Sequence, residues 1–562
     1  MDKVKTGGYV SEIRFNNGET VDIKPNDIIL FVGPNNTGKS QALKDIYALS
    51  KEKVPTTVVN DVKITKYEGK ISSLLDFISV GINHGSYTSY QVLGGVVTVH
   101  SFTDQEFLSS PYYDNCREVF VANLDTSARL SICQPAGSIP RNAPKQHPIH
   151  YAAFTSSYRK WLSESFKKAF GIEMIPNTQF GGVIPLCLGE AVKFYEEFED
   201  EQSRQEAYAT VLESYKQVQE QGDGIKSFTG ILLYLMLNYY CTYLIDEPES
   251  FLHPPQAKIM GQIIGETLSG DQQAFISTHS EELVKGLLDV CPERLKIIRI
   301  TRIEDINEFS VLDNNELTKV WKDPLLRYSN IMSGLFHKTV VLCESDADCQ
   351  MYSIIENYIK QKNGKYSETL FIHCGGKQRM AKVITALHAL NVDVHLVADL
   401  DVLNSESIIK EIANAYDIQW TTIRNDYNIL ASNLHSNRER VNRKEAKSSI
   451  SQILCEKADD SLSQDEIRKI REAVKTTSKW DDFKKMGVAA IPSGDASVAF
   501  GRINAKFKSV GIHLVPVGEL ECFIKEVGGH GPMWVNNVLE NYPDLDNNAY
   551  SKIKEFITEL GL

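Results

Sequence analysis

Apolar and polar residues alternate along the first part of the chain, which predicts β-strands. The alternation runs over 9–15 and 20–23 and is interrupted by Asn16-Asn17-Gly18, so we expect a β-hairpin that turns at these three residues. A continuous apolar run over 28–32 predicts a buried strand, and residues 40–49 after it have the spacing of a helix. An α/β unit therefore begins near the N-terminus.

The α/β pattern is then interrupted by a long segment, about 51–220, in which short strand-like runs such as Gln91 to Val99 alternate with loops and charged helical stretches. The pattern resumes with a helix and a strand over 231–245 and another strand over 272–277. We therefore predict a first domain over 1–330, with the segment 51–220 inserted into it.

A second α/β series follows the first. Its four apolar runs, which are separated by helical segments, are 339–343, 369–373, 392–398 and 512–517. Strands that alternate with helices in this way are typical of a parallel sheet. A highly charged and mostly helical insertion, about 405–510, separates the third and fourth runs, and we predict a second domain over 338–562.

The composition is that of a globular protein, since 42% of the 562 residues are hydrophobic and 24% are charged. The longest apolar stretch, 231–245, is shorter than the roughly 20 residues that cross a bilayer, and no apolar leader follows Met-Asp-Lys-Val-Lys, so we expect a cytoplasmic protein without a membrane segment. Ten cysteines without a Cys-x-x-Cys pair disfavour zinc and disulfide frameworks. The formal net charge of −13 disfavours a protein that coats nucleic acid over its whole surface, but it is compatible with a local basic groove.

A phosphate-binding loop lies between the buried strand and the helix of the first domain. Gly33 to Ser40 match G-x-x-x-x-G-K-[ST] in the strand–loop–helix context that the motif requires. The N–H groups of such a loop bind the β-phosphate of ATP, so Lys39 would neutralise phosphate charge and Ser40 would bind Mg²⁺. The candidate nucleotide-binding residues are Gly33, Asn35, Asn36, Thr37, Gly38, Lys39 and Ser40.

Two adjacent carboxylates follow a later apolar strand of the same domain. Asp246 ends this strand and Glu247 comes next, so Asp246 would hold the Mg²⁺ and Glu247 would polarise the attacking water. His279 follows another apolar run, and from there it would contact the γ-phosphate as a sensor. The loop, the acidic pair and the histidine together predict an ATPase.

These motifs resemble those of ABC-type ATPases, in particular the subgroup that carries D-E-P-E-x-x-L-H-P, which is present as Asp246 to Pro254. In that family a glycine-containing signature segment precedes the acidic strand, and Gly222, Asp223 and Gly224 occupy this position. The family's signature acts in trans on the phosphate loop of another subunit. The resemblance therefore implies a homodimer or a higher homo-oligomer that forms through the ATPase domains.

Carboxylates also follow two strands of the second domain. Glu344 follows the first apolar run with Asp348 one helical turn later, and Asp399 and Asp401 follow the third run. Because the carboxyl ends of parallel strands meet at one edge of a sheet, we expect these side chains to converge there. Together they can hold one or two Mg²⁺ ions for a displacement at phosphorus.

The tripeptide Asp544-Leu-Asp546 offers a comparison within the chain, because it repeats the Asp-x-Asp spacing of Asp399 and Asp401. It follows Tyr542-Pro543 and no strand precedes it. We therefore interpret it as a solvated turn and expect a metal site only at the strand end.

The second domain resembles a Toprim domain, the metal-dependent module of topoisomerases, primases and some nucleases. Its fusion to an ABC-type ATPase resembles the OLD (overcoming lysogenisation defect) family of ATP-dependent nucleases. The resemblance implies an α/β protein with an N-terminal ABC-type P-loop ATPase domain and a C-terminal Toprim domain, a Rossmann-like parallel sheet with a helical insertion, that uses Mg²⁺ or Mn²⁺. It assigns metal-binding and catalytic roles to Glu344, Asp348, Asp399 and Asp401. Gly375-Gly376-Lys377 would form a loop of the site, and Glu519 and Glu521 are alternative further ligands. Lys525 would be the catalytic lysine that lies late in the domain.

Basic residues are concentrated in the insertion, where Ser463 and Glu466 form a capping box for the second of two basic segments. The basic residues are Arg438, Arg440, Arg443, Lys444 and Lys447, and then Arg468, Lys469, Arg471 and Lys475. A solvated helix face explains this pattern as well as a nucleic-acid groove does.

We therefore expect an ATP-controlled, Mg²⁺-dependent DNA endonuclease, and the OLD resemblance implies a bacterial anti-phage effector. In some defence systems, including some retrons, an accessory protein or a structural nucleic acid holds related effectors silent. The alternative is a DNA-binding ATPase clamp of the recombination and repair type, whose Toprim-like domain is not catalytic. A topoisomerase would need a tyrosine nucleophile, and none of the 24 tyrosines is marked by its context.

Overall fold

The computed structural model divides the chain into two compact units, Met1–Lys322 and Asp323–Leu562. It describes residues 5–562 except 94, 191, 193–199, 269, 304–305, 313–317, 320, 324–329, 436–442, 456–460 and 475–478.

The first unit is a mixed α/β structure. Its strands are β1 (Gly8–Phe15), β2 (Thr20–Asp22), β3 (Ile28–Val32), β4 (Val59–Lys66), β5 (Gly81–Asn83), β6 (Thr88–Val92), β7 (Gly95–Val99), β8 (Val121–Leu124), β9 (Ala136–Gly137), β10 (Glu173–Pro176), β11 (Val183–Ile184), β12 (Leu186–Gly189), β13 (Lys216–Gln217), β14 (Thr242–Asp246), β15 (Gln273–Ser277), β16 (Leu295–Ile303) and β17 (Ile306–Val311). Its helices are α1 (Lys39–Leu49), α2 (Ile71–Ile78), α3 (Thr103–Ser109), α4 (Arg117–Phe120), α5 (Thr126–Ser131), α6 (Pro148–Phe154), α7 (Ser156–Phe170), α8 (Glu201–Glu213), α9 (Asp223–Leu237), α10 (Pro254–Thr267) and α11 (Glu281–Val290).

A six-stranded sheet with the order β17-β16-β3-β15-β14-β8 forms the centre of this unit. Every pair in it is parallel except β16 with β17. All five residues of β3 and of β15 are buried, as expected for a parallel sheet that is covered on both faces. The phosphate loop and the acidic strand β14 therefore end at the same edge of one sheet.

The predicted N-terminal hairpin is confirmed, because β1 pairs with β2 in antiparallel register with Ile13 opposite Val21. The fully buried amide of Gln273 holds this hairpin to the central sheet. Its Nε2 donates to the main-chain oxygens of Val10 (2.8 Å) and Lys24 (2.9 Å), and its Oε1 accepts from the N–H of Val10 (3.0 Å). One polar side chain therefore satisfies three main-chain groups that lie away from water.

The strand-like run Gln91 to Val99 differs from the prediction. It contains the end of β6 and the whole of β7, which pair antiparallel with Val92 opposite Gly95. The run is therefore two paired strands and not one continuous strand.

The second unit contains a four-stranded sheet. Its strands are β18 (Thr339–Cys343), β19 (Thr369–His373), β20 (Asp393–Ala398) and β21 (Ile512–Leu514). Its helices are α12 (Asp346–Lys362), α13 (Met380–Ala389), α14 (Glu406–Ala415), α15 (Trp420–His435), α16 (Arg443–Cys455), α17 (Gln464–Ala473), α18 (Lys479–Met486), α19 (Asp495–Lys508), α20 (Pro532–Asn541) and α21 (Ser551–Glu559).

The strand order is β19-β18-β20-β21, and all three pairs are parallel. The parallel sheet predicted from the four apolar runs is therefore confirmed. Helix α12 packs on β18 and β19, and its other contacts are with α20 and α21 at the C-terminal end of the chain. The two central strands, β18 and β20, end next to each other, and Glu344 and Asp399 follow them directly.

The described residues of the insertion between β20 and β21 are mostly helical and include α14 to α19. The predicted capping box is present, since Glu466 Oε2 accepts from Ser463 N (2.7 Å) and Glu466 N donates to Ser463 Oγ (3.3 Å). The basic residues Arg438, Arg440 and Lys475 lie outside the described residues. Among the helices that the structure describes, none is both long enough and apolar enough to cross a bilayer.

Candidate functional site

The phosphate loop requires glycine at its two ends for geometric reasons. Gly33 has φ 140°, and a Cβ atom there would lie 2.0 Å from the main-chain oxygen of Ile300. Gly38 has φ 93°, and a Cβ atom would lie 2.8 Å from Val58 Cγ2. Both backbone conformations are ones that glycine adopts without strain. The loop can therefore curve between β3 and the first turn of α1, where its N–H groups are available to phosphate.

Lys39 is buried at the start of α1. Its Nζ donates to the main-chain oxygens of Gly33 (3.0 Å) and Pro34 (2.5 Å), so the ammonium group lies inside the loop. Burial lowers the pKa of Lys39 to about 8, although the nearby carboxylates of the acidic turn oppose this shift. An ammonium group that is poorly solvated and held among main-chain oxygens is well placed to bind phosphate.

The other loop residues differ in exposure. Asn35 and Asn36 are exposed, and Ser40 is partly buried in the first turn of α1. The Thr37 hydroxyl donates to the Pro34 oxygen (3.0 Å). The Thr37 oxygen accepts from Nδ2 of Asn307 on β17 (2.7 Å), a contact that the motif did not reveal.

The acidic turn Asp246-Glu247 lies at the carboxyl end of β14, beside the end of β15. The Ser277 hydroxyl donates to Asp246 Oδ1, and Glu247 N donates to the Ser277 oxygen (3.0 Å). Glu247 has φ 47°, in the left-handed region that few side-chain-bearing residues adopt. His279 Nε2 is 3.6 Å from Glu247 Oε1, and burial together with Lys39 lowers the pKa of His279. The structure thus brings the predicted acidic pair and the predicted histidine together.

Glu249 and Arg129 are two further residues of this site that had no predicted role. Glu249 Oε1 accepts from the Thr278 hydroxyl (2.8 Å) and from His279 N (2.7 Å), so it holds the segment that carries His279. Burial raises the pKa of Glu249. The D-E-P-E motif contains Glu249 but does not indicate its partners, and Arg129 comes from a helix more than a hundred residues earlier in the chain.

The candidate signature lies at the beginning of α9. Gly222 precedes the helix, and Asp223 is its first residue, with its carboxylate 3.4 Å from Lys226 Nζ. A Cβ atom on Gly224 would lie 2.5 Å from the main-chain oxygen of Phe251, so this glycine allows α9 to approach the segment after the acidic turn. Gly222 and Asp223 are exposed.

In the second unit, carboxylates converge at the carboxyl edge of the sheet. Burial and the neighbouring carboxylates raise the pKa of Asp399 well above its usual range. The carboxylates that repel its negative charge belong to Asp348, Glu344, Asp401 and Glu519. Burial followed by Asp401 likewise raises the pKa of Glu344. Five of the predicted carboxylates therefore lie in one small region. A bound cation would relieve the repulsion between their negative charges.

Three of these carboxylates already have partners within the unit. Asp348 forms a capping box at the start of α12, because its Oδ2 accepts from Ser345 N (2.9 Å) and Ser345 Oγ (3.0 Å). Asp401 Oδ2 accepts from Lys377 Nζ (2.9 Å), and Glu519 Oε2 lies 3.0 Å from Lys484 Nζ.

The two alternative glutamates and the predicted lysine differ in their surroundings. Glu519 lies among the carboxylates near Asp399, whereas Glu521 Oε1 is 2.6 Å from His530 Nδ1 and accepts from Gly531 N (2.8 Å). Lys525 is exposed and donates to the main-chain oxygen of Lys485 (3.0 Å). The lysine that contacts Glu519 is therefore Lys484 from the insertion, a residue for which no role was predicted.

The donor set fits a hard divalent cation in two respects. All of its groups are carboxylates, the ligands that Mg²⁺ prefers. In addition, Asp401 Oδ1 is buried and forms no hydrogen bond within the protein, so one oxygen lacks a partner where a cation would supply one. Among the described residues, no three His, Cys, Asp or Glu side chains stand close enough together to hold a metal without adjustment. Lys377 and Lys484 occupy oxygens that such an ion would share.

The comparison tripeptide at Asp544 lies in a turn after α20. Asp544 Oδ1 accepts from Asp546 N (2.9 Å), and the Asp546 carboxylate is paired with Lys362 (2.5 Å). Both aspartates are exposed. The same spacing therefore forms an exposed surface turn here and part of a partly buried acidic cluster at Asp399.

Comparison with known protein families gives two matches, one in each unit. Residues 152–285 match the family described as "AAA domain, putative AbiEii toxin, Type IV TA system", and residues 335–401 match "Overcoming lysogenization defect protein-like, TOPRIM domain". The chain has an OLD-family ATPase–Toprim architecture. Its α/β class, with a P-loop ATPase domain before a parallel-sheet Toprim domain, agrees with the sequence prediction.

Solved structures of SMC head domains show a distant likeness. They include an SmcHead bound to the C-winged helix domain of ScpA (14% identity, TM-score 0.34, 55% of this chain and 99% of that chain) and the SMC head domain from Thermotoga maritima (12% identity, TM-score 0.28, with the same two coverages). A head domain from Pyrococcus furiosus with an extended coiled coil, bound to the C-terminal domain of ScpA, is 12% identical over 56% of this chain and 99% of that chain, with a TM-score of 0.31. No curated protein matches the chain.

Proposed function

We propose that the protein is an ATP-controlled, Mg²⁺-dependent DNA endonuclease that acts as a bacterial anti-phage effector in the cytoplasm. The observation that carries this proposal is the partly buried carboxylate cluster around Asp399, in which Asp401 has an unpartnered oxygen, in the same chain as a complete phosphate loop. The OLD-like Toprim match at 335–401 ends at Asp401 and supports the same chemistry.

In the ATPase unit, we assign binding and hydrolysis to different groups. The N–H groups from Gly33 to Ser40 and the Lys39 ammonium bind the phosphates of ATP, and Ser40 with Asp246 hold its Mg²⁺. Glu247 would accept a proton from the attacking water, and His279 would contact the γ-phosphate. The 3.6 Å separation of His279 Nε2 and Glu247 Oε1 supports a shared role at one phosphate.

In the Toprim unit, Glu344, Asp399 and Asp401 would hold Mg²⁺ or Mn²⁺, with Glu519 or Glu521 and Asp348 completing the set. A bound divalent ion stabilises the charge that develops on phosphate oxygens during cleavage. Lys377 and Lys484 lie beside this set, where their ammonium groups can stabilise the same charge and orient the DNA backbone. The late lysine proposed from the family resemblance, Lys525, remains a further candidate for this role.

ATP control is proposed to act through dimerisation. The segment Gly222-Asp223-Gly224 is exposed or partly exposed at the N-terminus of α9, where the helix dipole favours anions. A second copy of the chain could therefore receive this segment at its phosphate loop, and ATP would hold two ATPase units together. An accessory protein or a structural nucleic acid that controls the effector would act on this dimer.

The proposal is tested by incubating the purified protein with plasmid DNA, linear DNA and RNA. Each substrate is incubated with Mg²⁺, Mn²⁺ or EDTA, and with ATP, a non-hydrolysable ATP analogue or no nucleotide. We expect metal-dependent cleavage of DNA whose rate changes with nucleotide. ATP hydrolysis without cleavage of any substrate would contradict the nuclease and favour the ATPase clamp instead.

A further inference from the structure

Arg129, on the short helix α5, is a fully buried arginine at the back of the acidic turn. Its Nη1 donates to the main-chain oxygens of Asp246 and of Leu124 (3.2 Å). Its Nη2 donates to the main-chain oxygen of Glu247 (3.3 Å) and to the Thr126 hydroxyl (3.2 Å). One guanidinium group therefore binds two consecutive carbonyls of the acidic turn.

The contacts are to the backbone of the turn and leave its carboxylates available. Glu247 has φ 47°, a left-handed conformation that is unfavourable for a residue with a Cβ atom. Such a conformation persists only if the surroundings stabilise it. The planar guanidinium group of arginine can donate to two adjacent oxygens at once, and a lysine ammonium group does not have this geometry. Arg129 holds the Glu247 carbonyl, and the Ser250 hydroxyl donates to the Glu247 carboxylate (3.1 Å), so both residues restrain the direction of this side chain.

The helix that carries Arg129 is packed tightly on α9, the helix that begins with the candidate signature. A Cβ atom on Gly230 of α9 would lie 2.3 Å from the main-chain oxygen of Arg129, so the two backbones touch. The Cys133 thiol, just after α5, donates to the Lys226 oxygen of α9 (2.9 Å). The backbone contact between α5 and α9 therefore offers a physical route by which a displacement of α9 would reach Arg129 and, through its guanidinium, the acidic turn.

We infer that Arg129 is a positioning residue for ATP hydrolysis: it orients Glu247 through the Asp246 and Glu247 carbonyls and couples that orientation to α9. The inference rests on the ATPase activity proposed above. It makes the catalytic glutamate sensitive to whatever the N-terminal end of α9 contacts. None of the Arg129 contacts described above involves the loop from Gly33 to Ser40, so the contacts of this loop with the phosphates do not require Arg129.

The first test compares Arg129→Met and Arg129→Lys with the wild type in two measurements, the affinity for a fluorescent ATP analogue and kcat for ATP hydrolysis. We expect kcat to fall about 10²-fold in Arg129→Met, as when a group that positions the reacting atoms is removed, with the affinity unchanged within about threefold. Arg129→Lys should recover part of kcat, because an ammonium group can still reach one carbonyl. If Arg129→Met fails to fold, Arg129→Lys provides the test.

The matched control is Arg159→Met, because Arg159 also donates to main-chain carbonyls, those of Ala152 (3.3 Å) and Ala153, in the same unit. It should lower the melting temperature without a selective loss of kcat. Gly230→Ala should reproduce the Arg129 effect without changing Arg129, because its Cβ would push α5 away. Gly261→Ala, whose Cβ would lie 2.4 Å from the Leu283 oxygen between α10 and α11, is the control for crowding elsewhere.

A double-mutant cycle separates positioning from general destabilisation. In single-turnover hydrolysis, adding Arg129→Met to Glu247→Gln should cause little further loss, since the side chain to be oriented can no longer act as a base. Additive losses, or a parallel decline of affinity and kcat in Arg129→Met, would show that Arg129 only stabilises the unit. Wild-type kcat in Arg129→Lys and Arg129→Met would also overturn the inference. Absence of hydrolysis by the wild type is a different result, which would contradict the proposed ATPase itself.

Discussion

His395 Nδ1 and His513 Nε2 are 3.1 Å apart, and the two ring planes are within 5° of each other. The rings lie on the neighbouring strands β20 and β21, both of which lead to the acidic edge of the sheet. In a ring-to-ring contact of this kind one nitrogen donates a proton and the other accepts it, so the two facing nitrogens are not both protonated, and burial lowers the pKa of both rings. Burial, followed by His395 and Lys508, lowers the pKa of His513 to about 4.

This pair predicts an acid-dependent loss of stability. An unfolded histidine takes up a proton near pH 6.5, whereas folded His513 does so only near pH 4, so the unfolded state binds more protons between these values. The free energy of unfolding should fall as the pH is lowered from about 6.5 toward 4, by up to roughly 3 kcal/mol. Urea titrations at several pH values should show that the free energy of unfolding of His513→Gln depends less steeply on pH than that of the wild type. The control is His388→Gln, which replaces a histidine whose ring contacts the Ala415 oxygen. Its free energy of unfolding should depend on pH as that of the wild type does.

Replacement of Lys39 by alanine should remove ATP hydrolysis. The Lys39 ammonium lies inside the phosphate loop and donates only to main-chain oxygens of Gly33 and Pro34, so its loss leaves phosphate charge unopposed. We expect at least a tenfold weaker affinity for a fluorescent ATP analogue and an unchanged circular dichroism spectrum. Lys44→Ala, an exposed position on the same helix, should bind and hydrolyse ATP normally. Wild-type turnover in Lys39→Ala would refute the loop assignment.

Glu247→Gln should retain ATP and reveal the proposed dimer. The amide cannot accept a proton from the attacking water, whereas Asp246 still contacts Ser277 and can hold the metal. Light scattering should report a larger mass for Glu247→Gln with ATP than without it. Glu266→Gln, which replaces an exposed glutamate paired with Lys168, should behave as the wild type. A Glu247→Gln protein that stays monomeric in saturating ATP would contradict a signature that acts in trans.

Glu344→Ala and Asp399→Ala should each lose DNA cleavage and keep ATP hydrolysis. Groups that stabilise charge in a transition state are typically worth about 10² to 10³ in rate, and these two carboxylates belong to a different unit from the phosphate loop. Cleavage and phosphate release are measured on the same preparations. Asp544→Ala, in the exposed turn, should cut normally. The assignment is wrong if Asp544→Ala is inactive while Asp399→Ala cuts, or if folded Asp399→Ala also loses ATPase activity.

Lys484→Ala and Lys525→Ala together identify the lysine of the nuclease site. Lys484 Nζ is 3.0 Å from Glu519 Oε2, whereas Lys525 donates to the main-chain oxygen of Lys485. We expect Lys484→Ala to lower the cleavage rate by about 10² and Lys525→Ala to change it by less than about threefold, because only the first ammonium lies among the carboxylates. Lys485→Ala is the neighbouring control. The reverse order of effects would favour the lysine expected from the family resemblance.

Features with a short-range signal were predicted correctly from the sequence. The turn at Asn16-Asn17-Gly18, the capping box of Ser463 with Glu466, and the strands 339–343 and 392–398 follow from local spacing and residue type. The positions of Glu344 and Asp399 directly after two predicted strands also led us to expect that they lie close together, because the carboxyl ends of parallel strands meet at one edge of the sheet.

Features that depend on distant partners could not be predicted. Arg129 binds carbonyls 117 and 118 residues away, and nothing in its local sequence distinguishes it from an ordinary helix residue. Lys484 belongs to a highly charged insertion and is followed by a second lysine, Lys485, so the local sequence does not distinguish the two residues. Which of two adjacent lysines faces Glu519 is decided by the packing of α18, and a charge pattern does not contain that information.

The position of β3 in the central sheet has a consequence for how the protein is synthesised. β3 lies between β15 and β16, so its two neighbours are translated about 240 residues or more after it. At a translation rate of roughly 5–20 residues per second, this apolar strand leaves the ribosome some 12–50 seconds before either neighbour exists. During that interval the nascent chain exposes a strand that readily aggregates and cannot yet form a nucleotide site. Production of the protein should therefore depend on ribosome-associated chaperones more than that of a protein whose central strand pairs with adjacent sequence.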